Sequence, residues 1–381
     1  MRSVVESVLL AGGGTAGHVN PLLAVADAVR AKYPDATITV LGTREGLEAD
    51  LVPERGHELR FVPRVPLPRR PSVEWLRLPG KLRAAVRAAG AAIDESEARV
   101  VVGFGGYVAT PAYLAARRRG VPVVIHEQNA RPGLANRLGA RWARSVAVTF
   151  PSTALRGAQV TGLPLRREIS TLIADRAGDA AGTRAAAAET LGLRADLPTL
   201  LVTGGSLGAQ RLNETMTALV GEITAAGVQV LHLTGRGKAE AVQAAVGALD
   251  PEHATLYQAR EYLSDMQLAY AVADLVVCRS GAGTVCELAA LGLPAVYVPL
   301  PIGNGEQRLN AAPLVDVGGG LIVADDEFTS AWVRTIALPL LENPAALVIM
   351  SAAARSVGVP DAASRVLQLV EAASAAAPVA R

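Results

Sequence analysis

The chain has 381 residues, half of them apolar and 19% charged, with a formal net charge of +2. That is enough sequence for two domains with a core each, and too apolar for a disordered chain. The near-neutral balance gives no reason to expect nucleic acid as a partner. Two cysteines, Cys278 and Cys286, are too few for a disulfide framework and favour a cytosolic compartment.

The N-terminus shows no signal-peptide core or cleavage site and runs straight into SVLLAGGGTAGH (7–18). That stretch sets a grammar: a short apolar run, a glycine turn, then an Ala/Leu-rich helix. TITVLGTREGLEADLV (37–52) repeats it. Residues 64–87 interrupt it, mixing Trp75, Leu76, Leu78 and Leu82 with Arg69, Arg70, Arg77, Lys81, Arg83 and Arg87. Apolar and basic residues together suit docking on an anionic leaflet. A solvated basic helix with a core face fits these residues equally well. The grammar resumes with RVVVGFGGYVATPAYLAARRRG (99–120) and VPVVIHEQNARPGLANRLG (121–139). It breaks over 170–198, which reads as helical or loose, and restarts at TLLVTGGSLGAQRLNETM (199–216). VQVLHLTGRG (228–237), ATLYQAREYLSDM (254–266), ADLVVCRSGAGTVCELAALG (273–292) and LPAVYVPLP (293–301) follow. The longest apolar stretch, 288–302, is too short to span a bilayer and carries three prolines.

Continuous apolar runs suit strands covered on both faces, and strand–helix alternation implies parallel sheets. The expected fold class is therefore α/β: two Rossmann-like domains joined near Val160–Leu165. Ligands of such sheets bind beyond the carboxyl ends of the strands, so the site is expected in a cleft that the two domains face.

Gly12, Gly14 and Gly17 match the G-x-G-x-x-G dinucleotide fingerprint. An NAD site wants an acid at the end of the second strand, but Asp35 precedes that strand and Gly42-Thr43-Arg44 follows it. NAD is disfavoured. Arg44 leaves NADP open, and a plain strand-to-helix turn is a third reading. Bare glycines and a helix N-terminus favour an anion in any case. His18, at the helix start, suits a phosphate donor, a general base or a cap. In GGSLGAQ (204–210), Ser206 offers a hydroxyl among free amides, as diphosphate ligand or N-cap. Ser280 to Thr284 form a turn into a helix, with Glu287 about one turn inside, where a carboxylate can accept from a ribose diol. Gln307 and Asn310 in PIGNGEQRLNA suit sugar hydroxyls, and HEQN (126–129) ends a strand with four polar residues. Motifs for a metal–diphosphate site (D-x-D), a zinc peptidase and a Walker A loop are missing. A nucleotide-diphosphate leaving group would have to rely on helix N-termini and arginine.

Six ordered motifs resemble the MurG family over nearly the whole chain, apart from about 165–198 and the tail: GGGTAGHVNPLLAVA, GFGGYVATP, HEQNARPGLANR, GGSLGAQRLN, the stretch 261–301 and EQRLNAAPL. The resemblance implies a GT-B glycosyltransferase fold, with an acceptor and membrane-docking domain over 1–163, completed by a C-terminal helix at about 355–381, and a donor domain over 164–354. It implies inverting transfer of N-acetylglucosamine from UDP-GlcNAc to the 4-hydroxyl of the muramyl unit of lipid I, giving lipid II, without metal or other cofactor. The enzyme would sit peripherally on the cytoplasmic face of the bacterial cell membrane.

Carried over by position, Ser206 and Arg166 meet the diphosphate, and Leu263 lies at the uracil. Ala282, Gly283, Thr284, Val285, Cys286 and Glu287 wrap the nucleotide, with Glu287 on the ribose, and Gln307 reads the GlcNAc hydroxyls. Thr15, Ala16, Gly17 and Asn129 contact the same sugar from the first domain, and Tyr107 with the glycine loops faces the lipid I diphosphate. His18 is the candidate base, with Glu127 second. Three positions depart from the family pattern: Ala16 replaces a glycine, Leu163 an asparagine and Glu306 a glutamine. The alternatives are an NADP-dependent oxidoreductase, a nucleotide-sugar sensor without turnover, and a GT-B enzyme with another acceptor.

Overall fold

The computed structural model describes residues 4–65, 74–205 and 208–376, with side chains from residue 78 onward in the second stretch. The chain divides into two compact units, Met1–Arg166 with Val359–Arg381, and Arg167–Gly358.

The first unit carries seven strands: β1 (Ser7–Gly12), β2 (Thr37–Gly42), β3 (Glu58–Phe61), β4 (Val100–Gly105), β5 (Val123–Glu127), β6 (Ser145–Val148) and β7 (Ala158–Val160). They pair in parallel in the order β3-β2-β1-β4-β5-β6-β7. The helices between them are α1 (Ala16–Lys32), α2 (Glu48–Glu54), α3 (Glu74–Glu95), α4 (Ala109–Arg119) and α5 (Leu134–Gly139). Strand side chains alternate between the faces. Val8 and Leu10 of β1, with Val100, Val102 and Phe104 of β4, therefore enter one core beneath α1. Leu9, Ala11 and Val101 enter the opposite core beneath α3 and α4. The helix Ala362–Ala375 returns to this unit and packs Val366, Leu367, Val370 and Ala373 into the α1 side.

The second unit begins with α6 (Arg167–Leu191), two helical pieces merged across a kink at Asp179. Its six strands are β8 (Thr199–Thr203), β9 (Gln229–Leu233), β10 (Tyr257–Arg260), β11 (Leu275–Cys278), β12 (Ala295–Tyr297) and β13 (Gly320–Ile322). They form a second parallel sheet, ordered β10-β9-β8-β11-β12-β13.

In both sheets the strand order reverses once, between β1 and β4 and between β8 and β11. At such a switch point the connections leave in opposite directions and open a crevice at the carboxyl ends of the strands. The glycine turns after β1, β4, β8 and β11 all fall there. Among the described residues no single helix is long and apolar enough to cross a membrane; one bent pair, Ser330–Leu341 with Pro344–Ser356, passes by length and composition together.

Candidate functional site

At the first switch point, two glycine turns interlock. Gly12 of β1 pairs with Gly105 of β4. Gly105 and Gly106 have φ of +96° and +78°, and a Cβ on Gly106 would lie 2.5 Å from the Gly13 carbonyl oxygen. Only glycine combines that backbone with so close an approach. Thr15, Ala16 and Gly17 are exposed at the start of α1, whose first turn carries no acid. The turn therefore keeps its positive dipole end.

His18 is partly buried beneath this turn. Its Nδ1 lies 3.0 Å from the Thr15 hydroxyl, and its Cδ2–Nε2 edge lies beside Gly105. Burial lowers its pKa, while the Glu48 carboxylate and a hydrogen bond with the Gly13 backbone pull it back up. Tyr107 is exposed just after the second turn, with the Arg64 guanidinium 4.8 Å above its ring.

One strand over, Glu127 ends β5 and is 2% exposed. Its carboxylate accepts from the backbone N–H of Asn129 at 3.0 Å and of Gly133 at 3.0 Å, and from Asn136 Nδ2 at 2.9 Å. Asn136 Oδ1 in turn accepts from the Tyr113 hydroxyl at 2.7 Å. Burial raises the Glu127 pKa, and these hydrogen bonds oppose it. The carboxylate thus holds the turn that presents Asn129, and its lone pairs are largely committed to that task.

In the second unit, Gly204, Gly205 and Gly208 turn the chain after β8, where a Cβ on Gly208 would strike the Thr234 carbonyl. Ser206 lies outside the described residues. After β11, Arg279 ties three strand ends together: it pairs with Asp325 at 2.5 Å and donates to the carbonyls of Val298 and Pro299 at 3.0 and 3.2 Å. Ser280 is fully buried and its carbonyl accepts from Asn310 Nδ2 at 3.3 Å. The helix Ala282–Leu291 starts at Gly281 with no acid in its first turn, leaving its amides to an anion. Gly283 and Thr284 are partly exposed there, Ala282 and Val285 are buried, and Cys286 is intermediate. Glu287 is 8% exposed, further along the same helix. Gln307 opens the helix Glu306–Asp316, and its Oε1 accepts from the Leu300 N–H at 2.9 Å. Leu263 follows β10 and is partly buried, and Arg166 is the last residue of the first unit before the helix at Arg167.

The nominated residues therefore gather at strand ends, in two groups on two units. Thr15 to His18 and Tyr107 share one switch point, with Glu127 and Asn129 beside it; Ala282 to Glu287 and Gln307 are joined through Asn310 and Ser280. Sequence reasoning passed over Glu48, Asn136 and Arg279, whose partners are distant in the chain. A cavity of about 530 Å³ beside the helix Gln210–Thr217, lined by Asn213, Glu214, Thr217 and Lys238, involves none of the nominated residues. Among the described residues no group of three His, Cys, Asp or Glu could hold a metal ion. Arg44, the NADP candidate, stacks over Phe61 at 4.4 Å. Of the 64–87 segment, 66–73 and the side chains of 74–77, including Trp75, Leu76 and Arg77, lie outside the described residues. In the rest, Leu82 packs against the core while Lys81, Arg83 and Arg87 are exposed.

Two parallel doubly wound sheets, each with glycine turns at its switch point, are the two-domain architecture of the GT-B fold. Residues 8–148 match the glycosyltransferase family 28 N-terminal domain and residues 199–366 the family 28 C-terminal domain. The UDP-N-acetylglucosamine--N-acetylmuramyl-(pentapeptide) pyrophosphoryl-undecaprenol N-acetylglucosamine transferase of Frankia casuarinae is 55% identical over 98% of this chain and 97% of its own. The enzyme of the same name from Clavibacter michiganensis subsp. michiganensis is 56% identical over 97% of each. The crystal structure of Acinetobacter baumannii MurG superposes with a TM-score of 0.74 at 31% identity, covering 96% of this chain and 99% of that one. The chain belongs to the MurG family.

Proposed function

We propose that the chain transfers N-acetylglucosamine from UDP-GlcNAc to the 4-hydroxyl of the muramyl unit of lipid I, forming lipid II for peptidoglycan synthesis. The observation that carries this is near-full-length identity to enzymes named for that transfer, in a chain with a glycine turn at the switch point of each sheet.

In this reading the second unit holds the donor. Helix N-terminal amides at Ala282–Thr284, Ser206 and Arg166 balance the diphosphate charge; Leu263 lies at the uracil, Glu287 accepts from the ribose and the Gln307 amide reads the GlcNAc hydroxyls. The first unit holds the acceptor, with Tyr107 and the glycine loops toward the lipid I diphosphate, and its Thr15, Ala16, Gly17 and Asn129 contact the GlcNAc of the donor. His18 takes the proton from the 4-hydroxyl as that oxygen attacks C1 of GlcNAc. The bond from C1 to the β-phosphate oxygen breaks, UDP leaves, and the configuration at C1 inverts. A partly buried imidazole of lowered pKa is neutral near pH 7 and ready to accept. Glu127 serves better as the clamp of the Asn129 turn than as the base. Docking of 64–87 on the cytoplasmic leaflet brings this unit to its lipid acceptor.

The test is transfer of label from UDP-GlcNAc to a short-chain lipid I analogue, with and without EDTA. Label in the lipid fraction, undiminished by EDTA, supports metal-free transfer. Binding without transfer indicates a sensor or a different acceptor. Replacing His18 by Ala should lower kcat by about 10²–10⁴-fold; a near-normal rate in a folded variant removes His18 from the role.

A further inference from the structure

Glu48 is the most deeply buried carboxylate around the first switch point, with no measurable exposure. It lies near the start of α2, six residues past the end of β2, and nothing in the local sequence marks it. Its Oε2 accepts from the Gly14 N–H at 2.8 Å. Its Oε1 accepts from the Thr43 N–H at 2.8 Å and the Thr43 hydroxyl at 2.9 Å. Three glycines make room for it: a Cβ on Gly13, Gly42 or Gly46 would run into its side chain. A buried carboxylate so enclosed is costly to place unless hydrogen bonds satisfy it. Here the donors come from two different loops, so the carboxylate joins the turn after β1 to the turn after β2.

Two consequences bear on the site. First, the Gly14 amide is already committed inside the protein, so the glycine turn is not an open ring of amides for an anion. Second, the carboxylate is the charged group that acts on His18. Among the described residues the other groups recorded at the ring are uncharged: Thr15 on its own loop, Gly13, Gly105 of the β4 turn and, near Gly105, Asn136 of α5. A fixed negative charge favours the imidazolium that forms when His18 accepts a proton.

We propose that Glu48 is a positioning residue for the transfer reaction, an internal counter-charge that fixes the Gly12–His18 turn and stabilises His18 in its protonated form. This rests on the reading of His18 as the base. The arrangement places an acid behind an imidazole without direct contact between them, through the loop that carries the imidazole.

The test compares Glu48→Gln, which keeps shape and loses charge, with Glu48→Asp, which keeps charge and loses reach. The readout is the pH profile of kcat for transfer to a lipid I analogue. Loss of the charge lowers His18 basicity, so the acid limb of the Gln variant should move to lower pH while kcat falls. Glu48→Asp should lower kcat by up to about 10²-fold as the loop shifts, with the acid limb left in place. An unmoved limb in the Gln variant overturns the proposal and leaves Glu48 a structural support. If Gln does not fold and Asp does, the two acceptor oxygens are what the turn requires, Glu48 is a structural support and the proposal falls. If neither folds, the residue is a structural support alone and the proposal falls. His18→Ala, run alongside, separates the two ideas: a normal rate there defeats the base reading, whereas a lost rate with an unmoved Gln limb defeats only the role given to Glu48.

Discussion

Gly106 shows how narrowly single residues set the first switch point. Its φ of +78° costs any other residue about 1–2 kcal/mol, and a Cβ there would collide with the Gly13 carbonyl oxygen. Gly106→Ala should therefore displace the Gly13–Thr15 turn. We expect kcat/KM for lipid I to fall by about tenfold or more, with the Kd for UDP unchanged, since the residues read as wrapping the nucleotide lie on the other unit. Isothermal titration with UDP beside steady-state kinetics reads both; equal losses would mean that Gly106 supports the fold and not the Gly13–Thr15 turn alone. The glycine turns themselves were legible in the sequence, because a turn between an apolar run and a helix leaves a local signature. Glu48 and Asn136 were not. Glu48 matters through Gly14, 34 residues away in the chain, and no spacing rule connects them. The HEQN stretch was visible as polar residues at a strand end, but the sequence could not say that Glu127 would be spent on backbone amides.

At the level of elements, the central strands were plain in the sequence because they are buried on both faces and read as unbroken apolar runs: SVLLAG, VVVGFG, TLLVT, LVVC. The edge strands were not. ELRF of β3 and AQV of β7 are largely exposed, short and partly polar, and pairing with one neighbour is what makes them strands. The helix Ala362–Ala375 is the other long-range element: last in the chain, it closes the first sheet's core by placing Val366 and Val370 at full burial against α1, with the Tyr33 hydroxyl donating to Glu371 at 3.0 Å. Val370→Asp puts an unpaired carboxylate in that core. The expected loss is about 3 kcal/mol or more in urea unfolding of the first unit. A midpoint shift of less than a few tenths of molar urea would mean that this helix contributes little to the core.

On the scale of the whole chain, each unit holds a histidine fully buried within a strand of its sheet, and burial keeps it neutral. In the first, His126 donates from Nε2 to the Gly162 carbonyl at 2.9 Å, and its Nδ1 accepts from Gln128 at 3.2 Å. In the second, His232 Nδ1 accepts from the Tyr257 hydroxyl at 2.9 Å while Nε2 donates to Asn213 Oδ1 at 3.0 Å. Asn213 Nδ2 then reaches the Thr234 carbonyl at 2.9 Å, beneath Gly208. Burial pushes both histidines down from 6.5 to about 4. Between those values the unfolded chain binds protons that the folded chain refuses, so stability must fall as pH falls through that window. The loss is about 2 kcal/mol per histidine from pH 7 to pH 5, and it continues to about pH 4. Acid should therefore loosen both units, above the range where carboxylates titrate. Urea unfolding at pH 7 and pH 5 tests this, with tryptophan fluorescence in wild type and Trp332→Phe separating the units, because Trp332 reports the second unit and Trp75 and Trp142 the first. His126→Gln should lessen the pH dependence of the first unit alone, where His18, also lowered by burial, leaves a remainder, and His232→Gln should lessen that of the second. A midpoint equal at pH 7 and pH 5 would show that neither imidazole is held neutral by its sheet.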